Sequence, residues 1–190
     1  SHLWYKKTLV IWLVLTLSAC PVGLLPTASD SPFGVNLSGP EFSPWNGQQF
    51  PTVANWDYLQ TKGVNFVRLP LAWESLQPAL GGALDPTYSA SIATALSRAA
   101  ARGMSVILHL HNFAHYFDQA HWVSSGCGYA GNVAFSGVGV SIPTSAELAD
   151  LWTRIVRAFG AMPGVGGWEL MNEPQGNNGS LVPGKQLLFA

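Results

Sequence analysis

Apolar residues run through this chain in two alternating rhythms. Short, nearly continuous apolar runs are each followed by a stretch in which apolar side chains recur at every third or fourth position. Phe33-Gly34-Val35-Asn36-Leu37 reads as a first strand, and Ser38 to Phe50 as a loop. Thr52 caps a helix that runs to Lys62, with Gly63 closing it. Val64 to Pro70 reads as a second strand, and Leu71 to Leu84, with Gly81-Gly82, as a loop. Asp85-Pro86 then starts a helix whose apolar face is Ile92, Ala95, Leu96, Ala99 and Ala100, and Gly103 stops it. Met104 to His111 reads as a third strand, followed by a long Gly/Ser-rich loop from Asn112 to Pro143. Thr144 and Glu147 form a capping box for a helix lined by Leu148, Leu151, Trp152, Ile155 and Phe159, which Gly160 and Pro163 end. The last strand signal is Trp168-Glu169-Leu170-Met171-Asn172-Glu173-Pro174. Proline cannot extend a ladder and biases the residue before it towards extended backbone, which puts Glu173 at a strand's carboxyl end.

Strands that alternate with helices are βα units, so the fold class is α/β with a parallel sheet. That leaves an open doubly wound sheet or an eight-stranded barrel. No Gly-x-Gly-x-x-Gly fingerprint follows the first strand, which argues against the dinucleotide-binding version of the open sheet. A barrel takes about 250 residues, so this chain supplies roughly half of one.

Side chains alternate along a strand, and the inward parity can be followed. Arg68 shares a face with Val64 and Phe66, His111 with His109 and Ile107, and Glu173 with Met171 and Glu169. Arg68, His111, Asn172 and Glu173 thus all fall at strand carboxyl ends, where parallel α/β folds place their ligands.

Composition narrows the functional classes. The net charge is −1 and 10% of residues are charged, so nothing suggests nucleic acid or an anionic membrane surface as partner. Aromatic residues make up 12% of the chain, which suits a cleft that stacks sugar rings as well as an ordinary core. Lys6-Lys7 precede an apolar run from Thr8 to Leu17, the composition of an export signal. Leu17-Ser18-Ala19-Cys20 resembles a bacterial lipobox, with Cys20 as the lipidated residue and the only expected tie to a membrane. Residues 1–20 are therefore assigned to the signal, 21–32 to a Pro/Ser/Thr/Ala tether, and 33–190 to the amino-terminal half of the barrel. The chain begins at Ser1 rather than Met, and we read its start as a fusion remnant or an incomplete reading frame. Cys127 has no partner within the chain once Cys20 is lipidated.

The residues at the strand ends suit glycoside hydrolysis. One carboxyl group protonates the leaving oxygen, and a second attacks the anomeric carbon or activates water. Glu173 fits the proton donor, Asn172 can hydrogen-bond a sugar hydroxyl, and Arg68 can orient a carboxylate without losing its charge. Five motifs occur in order: Gly-Val-Asn-Leu-Ser-Gly at 34–39, Arg-Leu-Pro-Leu-Ala-Trp-Glu at 68–74, Leu-Gly-Gly-x-Leu-Asp at 80–85, Leu-His-Asn-Phe at 110–113 and Leu-Met-Asn-Glu-Pro at 170–174. Together they resemble glycoside hydrolase family 5, most of all its endo-β-1,4-glucanases, over residues 33–175. The resemblance implies a (β/α)8 TIM barrel, truncated here to about its first four β/α units, and a retaining mechanism on β-glucan with no cofactor. It makes Glu173 the acid/base, Asn172 a sugar contact, Arg68 the support of the nucleophile, and His111 part of the site lining. Asn36, Trp45, Trp73 and Trp122 follow as weaker substrate contacts.

Two departures qualify the resemblance. His109 stands where the family usually has Asp. The nucleophile Glu expected near the end of a seventh strand has no counterpart, because residues 177–190 hold no acidic side chain. These 190 residues alone are therefore expected to be inactive, as a fragment or a glycan-binding pseudoenzyme. A β-mannanase, a β-1,3-glucanase, or a metal-dependent barrel hydrolase using His109 and His111 with His115 and His121 nearby are the remaining alternatives. Activity that survives a chelator eliminates the last.

Overall fold

The computed structural model describes residues 33–41, 50–117 and 140–174. The segments expected to be a signal (1–20) and a tether (21–32), with Cys20, Trp45, Trp122, His121 and Cys127, lie outside the described residues. In chain order the elements are β1 (Gly34–Asn36), α1 (Val53–Thr61), β2 (Phe66–Leu71), α2 (Trp73–Leu76), α3 (Pro86–Ala100), β3 (Ser105–Leu110), β4 (Tyr116–Phe117), β5 (Val140–Ser141), α4 (Ser145–Phe159) and β6 (Val165–Glu169).

β1, β2, β3 and β6 form one parallel sheet in that spatial order. Doubly wound sheets reverse their strand order at a switch point. Here each strand adds beside its predecessor, which is the arc of a barrel wall. The expected strand–helix grammar therefore holds. Val67, Leu69, Leu71, Val106, Leu108 and Leu110 are fully buried in one cluster with Trp56, Ile92, Leu96, Leu151 and Ile155 from the helices. The opposite parity carries Arg68, Ile107, His109 and Glu169.

The helix boundaries follow from their caps. Asn55 N–H donates to the Thr52 hydroxyl at 3.3 Å while Thr52 N–H donates back to the Asn55 amide oxygen at 2.9 Å. Thr144 and Glu147 repeat the reciprocal pair at 3.2 and 2.6 Å. Asp85 accepts from Tyr88 N–H at 2.6 Å, ahead of Pro86 in the first helical position.

Four expectations need correction. Leu71–Leu84 contains the helical turn α2, whose four residues are all buried where it packs against α3 and β4. The loop from Asn112 contains the antiparallel pair β4–β5, with Tyr116 opposite Ser141 and Phe117 opposite Val140. The final strand ends at Glu169, four residues short of Glu173, although Asn172 N–H still reaches Leu110 C=O at 2.8 Å. Met171 leaves the inward parity once the strand ends and is buried in the apolar core instead.

The strand also starts earlier than its apolar residues suggest, because it includes Gly166-Gly167. Val165 pairs with Val106, but Gly167 pairs with Ile107, so Gly166 is an extra residue in a bulge. A Cβ on Gly166 would lie 2.6 Å from Ser105 Cβ, closer than carbons can approach. The bulge moves the parity by one position. Trp168 then faces the helices, meeting Trp152 edge-on at 6.0 Å, and Glu169 pairs with His109 on the inner face.

Candidate active site

Four parallel strands bring their polar inner residues to one end of the sheet. Asn36 and Arg68 are register partners on β1 and β2, and His109 and Glu169 on β3 and β6. The Arg68 guanidinium is the hub. Its Nε donates to Glu169 Oε2 at 2.6 Å and its Nη2 to Glu169 Oε1 at 2.5 Å, a two-pronged ion pair. Nη2 also donates to Asn172 Oδ1 at 2.9 Å, and Nη1 to Asn36 Oδ1 at 2.9 Å. The paired guanidinium holds the Glu169 carboxyl below the usual carboxylate range, against the opposing effect of partial burial. Glu169 is therefore an anion.

Arg68, Asn172 and Asn36, three of the residues singled out from sequence, are thus joined directly. His111 stands at the end of β3, where its N–H donates to Leu71 C=O at 2.9 Å. Its imidazole is held below the usual histidine value by burial first and by the Arg68 charge second, while Glu173 and Glu169 oppose both. Glu173 is thus within electrostatic reach of His111. Its own side chain is exposed, and its φ is +40° rather than extended, as Pro174 had implied. This is the left-handed region, which strains any residue with a Cβ. The departure arises because the ladder has already ended at Glu169 and Glu173 sits in the turn beyond it.

Trp73 is not a sugar platform. It is 1% exposed, its indole N–H donates to Gln77 Oε1 at 2.9 Å, and its ring meets Tyr116 edge-on at 6.0 Å. The turn of α2 points it into the core.

His109, the register partner of Glu169, is fully buried, and among the described residues neither ring nitrogen has a hydrogen-bond partner. Burial and then the Arg68 charge push its pKa down to about 3, so the ring is neutral. The His109 and His111 rings meet edge-on at 5.4 Å, and His115 Nδ1 is paired with Phe113 C=O at 2.9 Å. Among the described residues no group of three or more His, Cys, Asp or Glu side chains has the placement to hold a metal ion. The two-histidine metal reading gains no further ligand there.

A second carboxyl group lies just behind the site. Glu74 on α2 is fully buried and accepts a hydrogen bond from Asn112 Nδ2. Asn112 Oδ1 in turn accepts from Trp73 N–H at 2.9 Å. This pair anchors the turn after His111, where Phe113 (φ +54°) and Ala114 (φ +62°) are both left-handed. Burial pushes the Glu74 pKa up to about 7, from 4.5 in the open chain. Between these two values the folded protein keeps a proton that the unfolded chain has released. The stability from Glu74 is fully present below about pH 4.5 and lost as pH rises through about 7, by roughly 3 kcal/mol. Denaturant unfolding across that window is expected to show the decline. Glu74→Gln, which cannot ionise, is expected to remove it.

Sequence reasoning passed over Glu169 and Glu74. Glu169 shares the parity of Glu173, but nothing in the sequence around it names a partner. Glu74 lay in a motif with nothing to show that α2 would bury it.

Comparison with known proteins agrees with this fold. The family model described as cellulase (glycosyl hydrolase family 5) matches residues 27–186. The manganese-dependent endoglucanase Eg5A of Phanerodontia chrysosporium is 28% identical over 162 residues, 81% of this chain and 36% of its own. XacCel5A, solved in complex with cellopentaose, is 33% identical with a TM-score of 0.59, over 76% of this chain and 43% of its own. The Pseudomonas stutzeri endoglucanase Cel5A, solved with cellobiose, is 28% identical with a TM-score of 0.60, over 82% of this chain and 44% of its own. The chain spans less than half the length of each of these relatives.

Proposed function

The chain belongs to the cellulases of glycosyl hydrolase family 5, and from that premise we propose that it is part of an endo-β-1,4-glucanase in which Glu173 is the proton donor. The observation that supports this most directly is the Arg68–Asn172 hydrogen bond. It fixes the amide that immediately precedes Glu173 against the charged hub of the site. Relatives solved with cellopentaose and cellobiose make a β-1,4-glucan the favoured substrate.

In this reading Glu173 gives its proton to the glycosidic oxygen as the anomeric C–O bond breaks. A carboxylate on the opposite side of the ring attacks the anomeric carbon, and Glu173 then takes a proton from the water that releases the sugar. Glu169 is not that carboxylate, since both of its oxygens are held by Arg68. The nucleophile comes from barrel wall beyond the described strands. Arg68 has four of its five N–H groups paired among the described residues and one left on Nη1. That donor is suited to the incoming carboxylate.

The test is hydrolysis of a soluble β-1,4-glucan by the full-length protein, with the product anomer followed by proton NMR. Retained configuration that persists in a chelator is the expected result. An inverted product, or loss of turnover on chelation, would refute the mechanism. Binding of the glucan without turnover would favour the glycan-binding reading.

A further inference from the structure

We propose that Glu169 is the positioning residue of this site, holding Arg68 so that Asn172 turns its N–H2 group, and not its carbonyl, towards bound sugar. The inference deepens the glycosidase reading and rests on it only for the meaning of the sugar contact.

Both Glu169 oxygens engage one edge of the guanidinium, at 2.6 and 2.5 Å. Two parallel bonds on one edge fix the rotation of the planar group as well as its position. The remaining directions are then determined. Nη2 sends its second proton to Asn172 at 2.9 Å, and Nη1 sends one to Asn36 at 2.9 Å. A guanidinium only donates, so each amide must present its oxygen to Arg68. Asn172 is thereby left with Nδ2 and its two protons on the side away from Arg68. Its peptide N–H is already bound to Leu110 C=O at 2.8 Å, so neither its backbone nor its amide is free to turn. Asn36 is tied in the same way, with Nδ2 donating to the Ser38 hydroxyl at 3.0 Å. Every orientation in the cluster traces back to the carboxylate of Glu169. That carboxylate faces inwards as the register partner of His109.

Glu169→Gln preserves the shape but sets an N–H2 group against an Arg68 N–H, so one prong of the fork fails. In the full-length protein the Arg68 Nε–H proton is expected to be protected from exchange, and the Asn172 Nδ2 protons to give one resolved pair of signals. In the Gln variant exchange of the Arg68 proton should speed up by about 10-fold or more, and the Asn172 pair should shift or broaden. Glu169→Asp, which keeps the charge on a shorter arm, should recover most of the protection. Should the Gln variant not fold, Glu169→Ala, which leaves Arg68 in place without its carboxylate fork, gives the same readout. On β-glucan, kcat/KM of the Gln variant should fall on the order of 10- to 100-fold, mainly in kcat, through misplacement of the donor residues. Unchanged Asn172 and Arg68 signals in the Gln variant would overturn the proposal, and so would unchanged kcat/KM beside an active wild type. A wild type without hydrolase activity refutes the glycosidase reading alone, and the exchange measurement still decides whether Glu169 holds the cluster.

Discussion

Glu173→Gln is expected to lower kcat on an unactivated β-glucan by roughly 10²- to 10⁴-fold, the contribution of a well-placed general acid. The side chain is exposed and lies beyond the last strand, so the melting temperature should remain that of the wild type. The chemical role can be separated from simple damage through the leaving group. An aryl glycoside whose phenolate departs without a proton bypasses the missing acid, so the first step should proceed almost normally in the variant. His111 supplies an independent readout. The Glu173 charge raises the His111 pKa against burial and Arg68, so its removal should move the His111 titration further down. A variant with wild-type kcat on the unactivated substrate would remove Glu173 from the mechanism.

Trp73→Ala is expected to destabilise the fold by about 3–5 kcal/mol, as for other fully buried tryptophans. Its indole fills the space between α2 and β4, against Tyr116. Its loss also strands Gln77 Oε1, the acceptor of the indole N–H. Gln77 in turn donates to Gly82 C=O at 3.0 Å and to Asp150 at 2.9 Å, so the damage should spread to the contact with α4. The denaturation midpoint should drop while KM for glucan in the surviving folded fraction stays constant. A raised KM at undiminished stability would restore the sugar-stacking role suggested by sequence.

These two residues mark what can be read from sequence here. Helix ends were legible because capping is local: Thr52, Asp85 and Thr144 each act on a residue three positions away. The convergence of Arg68, His111 and Asn172 was legible because parallel strands have a defined carboxyl end. Trp73 was misread because tryptophan is equally suited to a core and to a sugar platform, and only the turn of α2 decides between them. The extent of the last strand was misread for a different reason. Gly166-Gly167 has no side chains with which to show a period, yet the strand runs through both. Glu169 and Glu74 were missed because their importance lies in partners 101 and 38 positions away in the chain.

The bulge at Gly166 also constrains how this segment can change over generations. Parity in a strand has only two values, and pairing with His109 sets the value that directs Glu169 inwards. One residue inserted between Gly167 and Trp168 would swap the two faces beyond it, turning the carboxylate into the apolar helix layer and the indole of Trp168 towards the inner face, whereas losing Gly166 itself would only remove the bulge and leave Glu169 paired with His109. Related sequences should therefore tolerate a gap at Gly166, while gaps beyond Gly167 should be absent or come in pairs.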